Sequence, residues 1–451
     1  MDLARELGFW EALAINIVSM VGGGIFVAIS LVLSATGGPQ AVVAWVLALF
    51  ICLCDGIVWA ELAAALPSTG GPYQYLREGF GPNRWGRTVG FLFLWGSLFV
   101  MPLVAASVAT TFAQFTRYLR PELTATQAKW LAALICVIAT ALLYRDIKSV
   151  GRLSITFWIV VVGTAAWVIV VGLLHFDSRL AFDFPARAFE PSKSFFAGLG
   201  AGAVIVAVTL GGYGTICLCA GETRNPERVL PRSIVVSLLA VGLVGIALSI
   251  VVTGVLPWRE AAKSSLVVSD FIERIHGRRA ATVVTVLVLW ATAGCLFTSL
   301  LSFSRVIYAG AAAGQLFAFL GRVHPTRRFP SAAVLTIGGI SAAFCIFELE
   351  VLYQALSALA IITQLIPQLI AAVLIRRNRP DIDRPFRMWL YPAPIAVAFA
   401  GWLFVLSGNQ TVVLAIAAIV TLLGLLLDLT RAYRCGEWPF ELAAAALKGH
   451  K

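Results

Sequence analysis

Long stretches without a charged residue alternate with short polar segments along the chain. The first such stretch covers residues 12–54 and is split by the turn-forming segment TGGPQ at 36–40. A helix that crosses the hydrocarbon core of a bilayer needs about 20 mostly apolar residues. On this measure the pattern predicts twelve transmembrane helices, at 12–35, 41–66, 88–116, 126–144, 153–176, 194–221, 233–258, 280–304, 329–347, 351–375, 388–406 and 411–427.

Basic residues are distributed unevenly between the segments that join these helices. Loops and tails on the side of the two termini carry 23 Lys and Arg residues, whereas loops on the other side carry 11. Cytoplasmic loops of membrane proteins are enriched in Lys and Arg. The bias therefore predicts a multi-pass protein of the cytoplasmic (inner) membrane with both termini in the cytoplasm.

Composition agrees with a chain whose main solvent is lipid. Apolar residues make up 60% and charged residues 13% of the 451 residues, against about 45–50% and about 25% in soluble domains. The net charge of +11 follows the loop bias, so it does not indicate a nucleic-acid partner. Most Cys residues lie inside apolar stretches, and the four His residues lie near or outside their ends. We therefore expect no metal site and no cofactor.

Two of the predicted helices carry glycine clusters at mid-depth: GGG at 22–24 in the first helix and GGYG at 211–214 in the sixth. Each Gly in a helix interior costs about 1 kcal/mol relative to Ala, so we expect both helices to unwind there. Small residues can instead mark close helix packing, although that explains spaced Gly better than adjacent Gly. Unwound backbone in a membrane offers N–H groups to a carboxylate and carbonyls to an ammonium group. Interrupted helices at corresponding positions of two halves indicate a transporter substrate site.

Five segments, in the same order along the chain, resemble signatures of the amino acid–polyamine–organocation (APC) superfamily of permeases. Each is a weak signal alone, and together they are specific because they span most of the chain. They are GGGIF at 22–26, PSTGGPYQY at 67–75, GETRNPER at 221–228, RVIYA at 305–309 and RRNRP at 376–380.

This resemblance implies an all-α polytopic fold of the LeuT type, with a 5+5 inverted repeat and helices 1 and 6 unwound at mid-membrane. The repeats would cover about 8–176 and 190–375, and helices 11 and 12, at about 388–430, would follow them in a single transporter domain (1–450). The implied activity is secondary active transport of amino acids by alternating access, as an exchanger or a proton-coupled symporter.

By position, the resemblance assigns the substrate carboxylate to backbone N–H groups of the first break and the α-amino group to carbonyls beside both breaks. Tyr213 would line the pocket or act as a gate. The chain has VTL at 208–210 where the family often has Phe-Ala-Tyr, so the bulky gate of helix 6 is missing. The implied substrate-binding residues are Met20, Gly22, Gly23, Gly24, Ile25, Val208, Thr209, Gly211 and Tyr213.

Polar side chains inside the predicted helices are candidates for coupling transport to an ion. Asp55 and Glu61 lie six residues apart on the second helix, which places them on different faces. An ionisable residue as deep as Asp55 is a functional candidate by default and could carry a proton, whereas Glu61, nearer the helix end, also fits a structural partner of an Arg. Thr298 and Ser299 are possible sodium ligands, but hydroxyls in membrane helices often bond to their own backbone.

No acidic side chain lies near the two breaks, so a neutral amino acid is the expected substrate. The alternatives are a transporter of polyamines or cationic amino acids on the same fold and, from other classes, a membrane-embedded enzyme or a nutrient sensor. An enzyme needs clustered catalytic groups, and the predicted helices contain only two deep acids and no His away from their ends. We therefore expect a transporter and not an enzyme, as a monomer or weak homodimer in lipid.

Overall fold

The computed structural model describes residues 7–22, 24–68, 70–143, 148–186, 188–324 and 329–434. Within these ranges the chain is helical, apart from loops and an isolated parallel bridge between Leu7 and Thr223. Nine described helical spans are long and apolar enough to cross a membrane; two of them, Lys193–Gly221 and Leu349–Asn378, run on through a 3-10 or π segment. The bent pair α1 (Phe9–Val21) and α2 (Gly24–Thr36) passes the same test together. The chain is therefore a multi-pass membrane protein.

The remaining helices follow one another with short connections. Those of the first half are α3 (Ala41–Ala65), α4 (Pro72–Gly79), α5 (Gly86–Leu119), α6 (Ala125–Leu142), α7 (Lys148–Leu174) and α8 (Ser178–Ala181). Those of the second half are α9 (Lys193–Leu210), α10 (Pro226–Thr253), α11 (Trp258–Ala261), α12 (Val267–Ala312), α13 (Ser331–Phe344), α14 (Leu349–Ala360), α15 (Ile366–Asn378), α16 (Ala393–Ser407) and α17 (Thr411–Arg434). The π segments Gly81–Trp85 and Ile361–Leu365 lead into α5 and α15, and the 3-10 segments Gly211–Glu222 and Ala318–Gly321 follow α9 and α12.

The first membrane span is broken between α1 and α2, whose axes differ by 41°. A Cβ atom at Gly22 would lie 2.7 Å from both Cβ and Sγ of Cys295, closer than side chains approach one another. A Cβ atom at Gly212 would likewise lie 2.8 Å from the backbone nitrogen of Met20. Glycine at these two positions therefore lets α1 pack directly against α12 and against the segment that follows α9.

At the second glycine cluster the helix tightens and does not unwind: α9 passes directly into the 3-10 segment Gly211–Glu222 within one helical span, Lys193–Gly221. We call this change of helix geometry at Gly211 the second break. Two bonds join the 3-10 segment and its end to the beginning of the chain. The Ile216 N–H donates to Oδ1 of Asn16 at 3.1 Å, and the Arg224 N–H donates to the Leu7 carbonyl at 2.8 Å. The end of one broken span is thus attached to the beginning of the other.

The helices pack around two hydrophobic clusters. In one, α2 packs against α9 and α3 against α10, with Trp45 and Phe26 fully buried. In the other, α5 packs against α6, α12 and α14 around Phe93 and Leu94. Water-soluble proteins rarely expose a large apolar surface, and this bundle does so on many helices, for example at Leu134, Ile159, Val283, Ile416 and Leu423. This outer surface fits contact with lipid.

Candidate functional site

An internal cavity of about 190 Å³ lies where the two broken spans meet. The end of α1 and the beginning of α2 contribute Gly22 and Gly24 to its wall, and the end of α9 and the beginning of the 3-10 segment contribute Val208 and Gly211. Helices α5, α12 and α14 close the remaining sides. The breaks therefore bring backbone from two spans, about 190 residues apart in sequence, to one cavity.

The cavity gathers most, but not all, of the residues that the sequence suggests for a site. Gly23 lies outside the described residues. Ile25 is fully buried in the hydrophobic cluster of α2 and does not line the cavity. Asp55, Glu61 and Thr298 do not line it either. The predicted residues that do line it are Met20, Gly22, Gly24, Val208, Thr209, Gly211, Tyr213 and Ser299.

The end of the cavity at the first break is polar. The first N–H groups of a helix have no partner inside that helix, and they carry the positive end of its dipole, so the beginning of α2 attracts a negative group. The Tyr353 hydroxyl lies close by, 3.3 Å from where a Cβ atom would stand at Gly24. The hydroxyl of Ser19, at the end of α1, is buried and has no hydrogen-bond partner among the described residues. A buried polar group without a partner is costly, so this end suits a polar ligand.

The rest of the cavity wall is mainly apolar. Among the described lining residues there is no Asp, Glu, Lys, Arg or His. The apolar side chains come from several helices and include Met101, Val104, Val208, Leu356 and Ile361. A cavity with one polar end and one uncharged apolar side matches a small zwitterion that carries an apolar or neutral side chain.

Sequence reasoning did not find the contributions of α14 and α5. Tyr353, Ser357 and Gln364 line the cavity from α14 and the π segment that follows it. Their spacings of four and seven residues place them on one helix face. Ser97 and Met101 line it from α5 with the same spacing of four. The sequence signal that could have indicated these contributions is the polar residues at helical spacing inside an apolar span, Tyr353, Ser357 and Gln364.

Asp55 lies directly behind the cavity wall. It is fully buried on α3, and the Tyr213 hydroxyl donates a hydrogen bond to its Oδ2. The rings of Trp59 and Tyr213 pack edge to face with centroids 6.0 Å apart. Asp55 is thus separated from the cavity by a single side chain.

Glu61 has a structural environment instead. Arg376 on α15 holds its carboxylate with two nitrogens, Nε donating to Oε1 at 2.6 Å and Nη2 donating to Oε2. The Met388 N–H donates to Oε2 at 2.7 Å, and the Arg376 guanidinium lies 4.0 Å from the centre of the Tyr391 ring. Glu61 therefore fastens α3 to α15 and to the loop before α16.

Thr298 and Ser299 differ in their surroundings. The Thr298 hydroxyl donates to the carbonyls of Gly294 and Cys295, at 3.0 and 3.1 Å. Ser299 faces the cavity, and its hydroxyl lies 4.0 Å from the Cys295 sulfur. Only Ser299 of this pair is thus positioned to meet a ligand in the cavity.

A cavity where interrupted helices meet inside a multi-pass membrane protein is typical of transport proteins. The chain belongs to the amino acid permease family, whose sequence profile matches residues 7–425. This match confirms the resemblance found in the sequence, and the protein is a transporter and not an enzyme.

Known transporters match this chain over most of its length. The human large neutral amino acids transporter small subunit 2 is 27% identical over 440 residues, covering 94% of this chain and 79% of that protein. The serine/threonine exchanger SteT of Bacillus subtilis is 26% identical over 449 residues, covering 94% and 96%. The branched-chain amino acid permease BcaP of the same organism is 24% identical over 438 residues, covering 91% and 90%. The shared length supports a shared architecture of the membrane region.

Proposed function

We propose that this protein is a secondary active transporter that carries neutral amino acids across the cytoplasmic membrane by alternating access. The observation that carries the proposal is the cavity at the two breaks, polar at the first break and lined elsewhere by uncharged, mainly apolar side chains. The names of the relatives support it, since they specify large neutral amino acids, branched-chain amino acids and serine or threonine.

The proposed substrate pose follows from the charges of helix ends. The carboxylate binds the N–H groups at the beginning of α2, in the segment 22–25, because the dipole of that helix favours an anion there. The ammonium group binds carbonyls at the ends of α1 and α9, at Met20, Val208, Thr209 and Gly211. The side chain of the substrate then points to the apolar wall around Met101 and Leu356. Tyr213 closes the cavity toward Asp55.

The proposed topology has twelve spans. The broken span and the nine long helices account for ten. The apolar helices α13 (Ser331–Phe344) and α16 (Ala393–Ser407) are shorter than the rest, and we propose that they cross the membrane as well. Residues 8–176 and 190–375 then form two inverted repeats, followed by helices 11 and 12 at 388–430 in a single domain. Both termini lie in the cytoplasm, in agreement with the excess of basic residues on that side.

Two modes of coupling fit this arrangement, exchange of one amino acid for another and symport with a proton. Asp55 is the proposed proton carrier, because it is fully buried and bonded to the cavity residue Tyr213. No sodium ion is part of the proposal, because Thr298 does not line the cavity. The protein is proposed to act as a monomer or weak homodimer.

Counterflow in proteoliposomes tests the function. Vesicles loaded with unlabelled leucine, serine or alanine should take up the labelled form of the same amino acid faster than empty vesicles do. Lysine and glutamate inside the vesicles should give no acceleration, because the cavity has no described side chain of opposite charge. Vesicles without protein are the control.

Competition with blocked substrates tests the pose separately. Leucine amide lacks the carboxylate and N-acetyl-leucine lacks the ammonium group, so neither should compete with labelled leucine. If both compete as well as leucine does, the backbone at the breaks is not the recognition site. Acceleration by lysine or a polyamine, without acceleration by neutral amino acids, would replace the proposal with a cationic transporter of the same fold.

A further inference from the structure

A second pocket lies at the opposite end of α15 from the cavity, where α15 meets the loop that precedes α16. It has a volume of about 440 Å³. Four of its six lining residues are arginines, and the lining residues are Val373, Arg376, Arg377, Arg384, Arg387 and Tyr391. No residue of the proposed transport site belongs to it.

Among the described residues, three of the four arginines in this pocket have no acidic partner. Arg376 is paired with Glu61. In the described parts of the chain no ion pair involves Arg377, Arg384 or Arg387. One nitrogen of Arg384, Nη1, is shielded from solvent and has no hydrogen-bond partner there. A shielded guanidinium nitrogen without an acceptor is costly, so the pocket favours an anionic ligand.

The neighbouring arginine shows the contrast. Arg379 lies outside the pocket and binds two carboxylates, Glu78 at 2.7 Å and Asp381 at 3.0 Å. Its hydrogen bond lowers the pKa of the Asp381 carboxyl. Glu61, Glu78 and Asp381 are therefore committed to Arg376 and Arg379. Asp383, an exposed acid beside Arg384, forms no ion pair among the described residues.

The surface beside the pocket is apolar and exposed. Trp389 and Leu390 are 62% and 84% exposed, and they lie in the loop between two membrane helices. Trp and Tyr are enriched at the level of the lipid headgroups, where apolar and polar surroundings meet. Trp389 and Leu390 therefore fit the acyl region of a lipid, while the arginines beside them fit its headgroup.

We propose that this arginine pocket binds the phosphate of an anionic phospholipid. The planar fork of a guanidinium binds two oxygens of one phosphate at once, and basic pockets between helices at the membrane surface bind anionic headgroups. Because Arg376 forms both one wall of the pocket and the ion pair with Glu61, the bound lipid joins the contact between α3 and α15. The lipid therefore stabilises that contact.

The test compares two double variants that remove the same charge. Arg384→Gln with Arg387→Gln empties the pocket of two arginines and leaves Arg376 paired. Arg322→Gln with Arg434→Gln is the matched control; it removes two exposed arginines outside the pocket, one just after the 3-10 segment Ala318–Gly321 and one at the end of α17. Purified proteins are titrated with phosphatidylglycerol and with phosphatidylcholine, and bound lipid is counted by native mass spectrometry. We expect the pocket variant to bind phosphatidylglycerol roughly tenfold more weakly than the wild type, and the control to bind it as the wild type does.

A competition arm distinguishes a lipid from a soluble anion. Inorganic phosphate should not displace phosphatidylglycerol, because it lacks the acyl chains that contact Trp389 and Leu390. Equal loss of lipid in the two double variants would overturn the proposal, since it would reflect general surface charge. Displacement by inorganic phosphate would overturn the lipid assignment. If the pocket variant is not recovered folded, Arg387→Lys replaces it; the fork is then lost while the charge remains, and binding should still weaken more than in the control.

Discussion

Replacing Arg376 with Gln tests how strongly the Glu61 ion pair holds α3 to α15. The two side chains are 4% and 19% exposed, for Glu61 and Arg376, so neither charge is well hydrated. Removing one partner of a buried ion pair costs about 3–5 kcal/mol, because the other charge remains buried alone. In Arg376→Gln the Met388 N–H still binds one Glu61 oxygen. We therefore expect the lower end of that range, a loss of about 3 kcal/mol in the free energy of unfolding.

The reverse variant, Glu61→Gln, should cost less. Gln keeps the size of Glu, and the more exposed Arg376 retains its contact with Tyr391, so we expect a loss of about 2 kcal/mol. The double variant should lose about 3 kcal/mol, less than the sum of the single losses, because no buried charge is then left without a partner.

Reversible unfolding by sodium dodecyl sulfate in mixed micelles, followed by tryptophan fluorescence, measures these losses. The matched control is Glu260→Gln, which removes an ion pair with Arg274. This pair is exposed, since the side chain of Glu260 is 62% exposed and that of Arg274 is 50% exposed. It should change the free energy by less than about 1 kcal/mol. If the loss in the double variant equals the sum of the two single losses to within about 0.5 kcal/mol, the reasoning is refuted, because the effects of residues that do not interact are additive.

Three further predictions concern the transport site. Gly22→Ala should destabilise the protein by about 1–3 kcal/mol, because the added methyl group overpacks against Cys295. The control Gly211→Ala should lower the midpoint of thermal unfolding much less, because its Cβ has open space around it. Equal midpoints for the two variants would contradict the close approach of α1 and α12. Asp55→Asn should flatten the pH dependence of uptake into proteoliposomes, and an unchanged pH profile would remove Asp55 as proton carrier. Replacing sodium with choline should leave uptake unchanged, because the proposed mechanism uses no sodium ion, and a strong loss would restore Thr298 and Ser299 as sodium ligands.

The local sequence predicts the positions of the breaks because their cause is local. Adjacent glycines weaken a helix wherever they occur, and the structure has a helix boundary at each cluster, at Val21 and at Leu210. The family resemblance then points to the residues around the breaks. Met20, Val208 and Tyr213, to which the resemblance points, line the cavity in the structure.

The remaining parts of the site depend on contacts between distant segments. Asp55 and Tyr213 are 158 residues apart, and Glu61 and Arg376 are 315 apart. The pattern of residues within one helix does not indicate which other helix will pack against that helix. Sequence reasoning therefore singled out both acids but could not say that one would lie behind the cavity and the other would fasten α3 to α15.

The two bonds that attach the beginning of the chain to the segment after α9 affect how the cavity can open. Through Asn16 and Leu7, α1 and the 3-10 segment form one body, while α2 and α9 pack together as another. Each broken span thus gives one half to each body, and we expect the glycine breaks to act as hinges between the two bodies. We expect a tilt of the first body to open the cavity toward one side of the membrane while the second body keeps the other side closed. A pathway open to both sides at once would then require the contacts within one of these bodies to break.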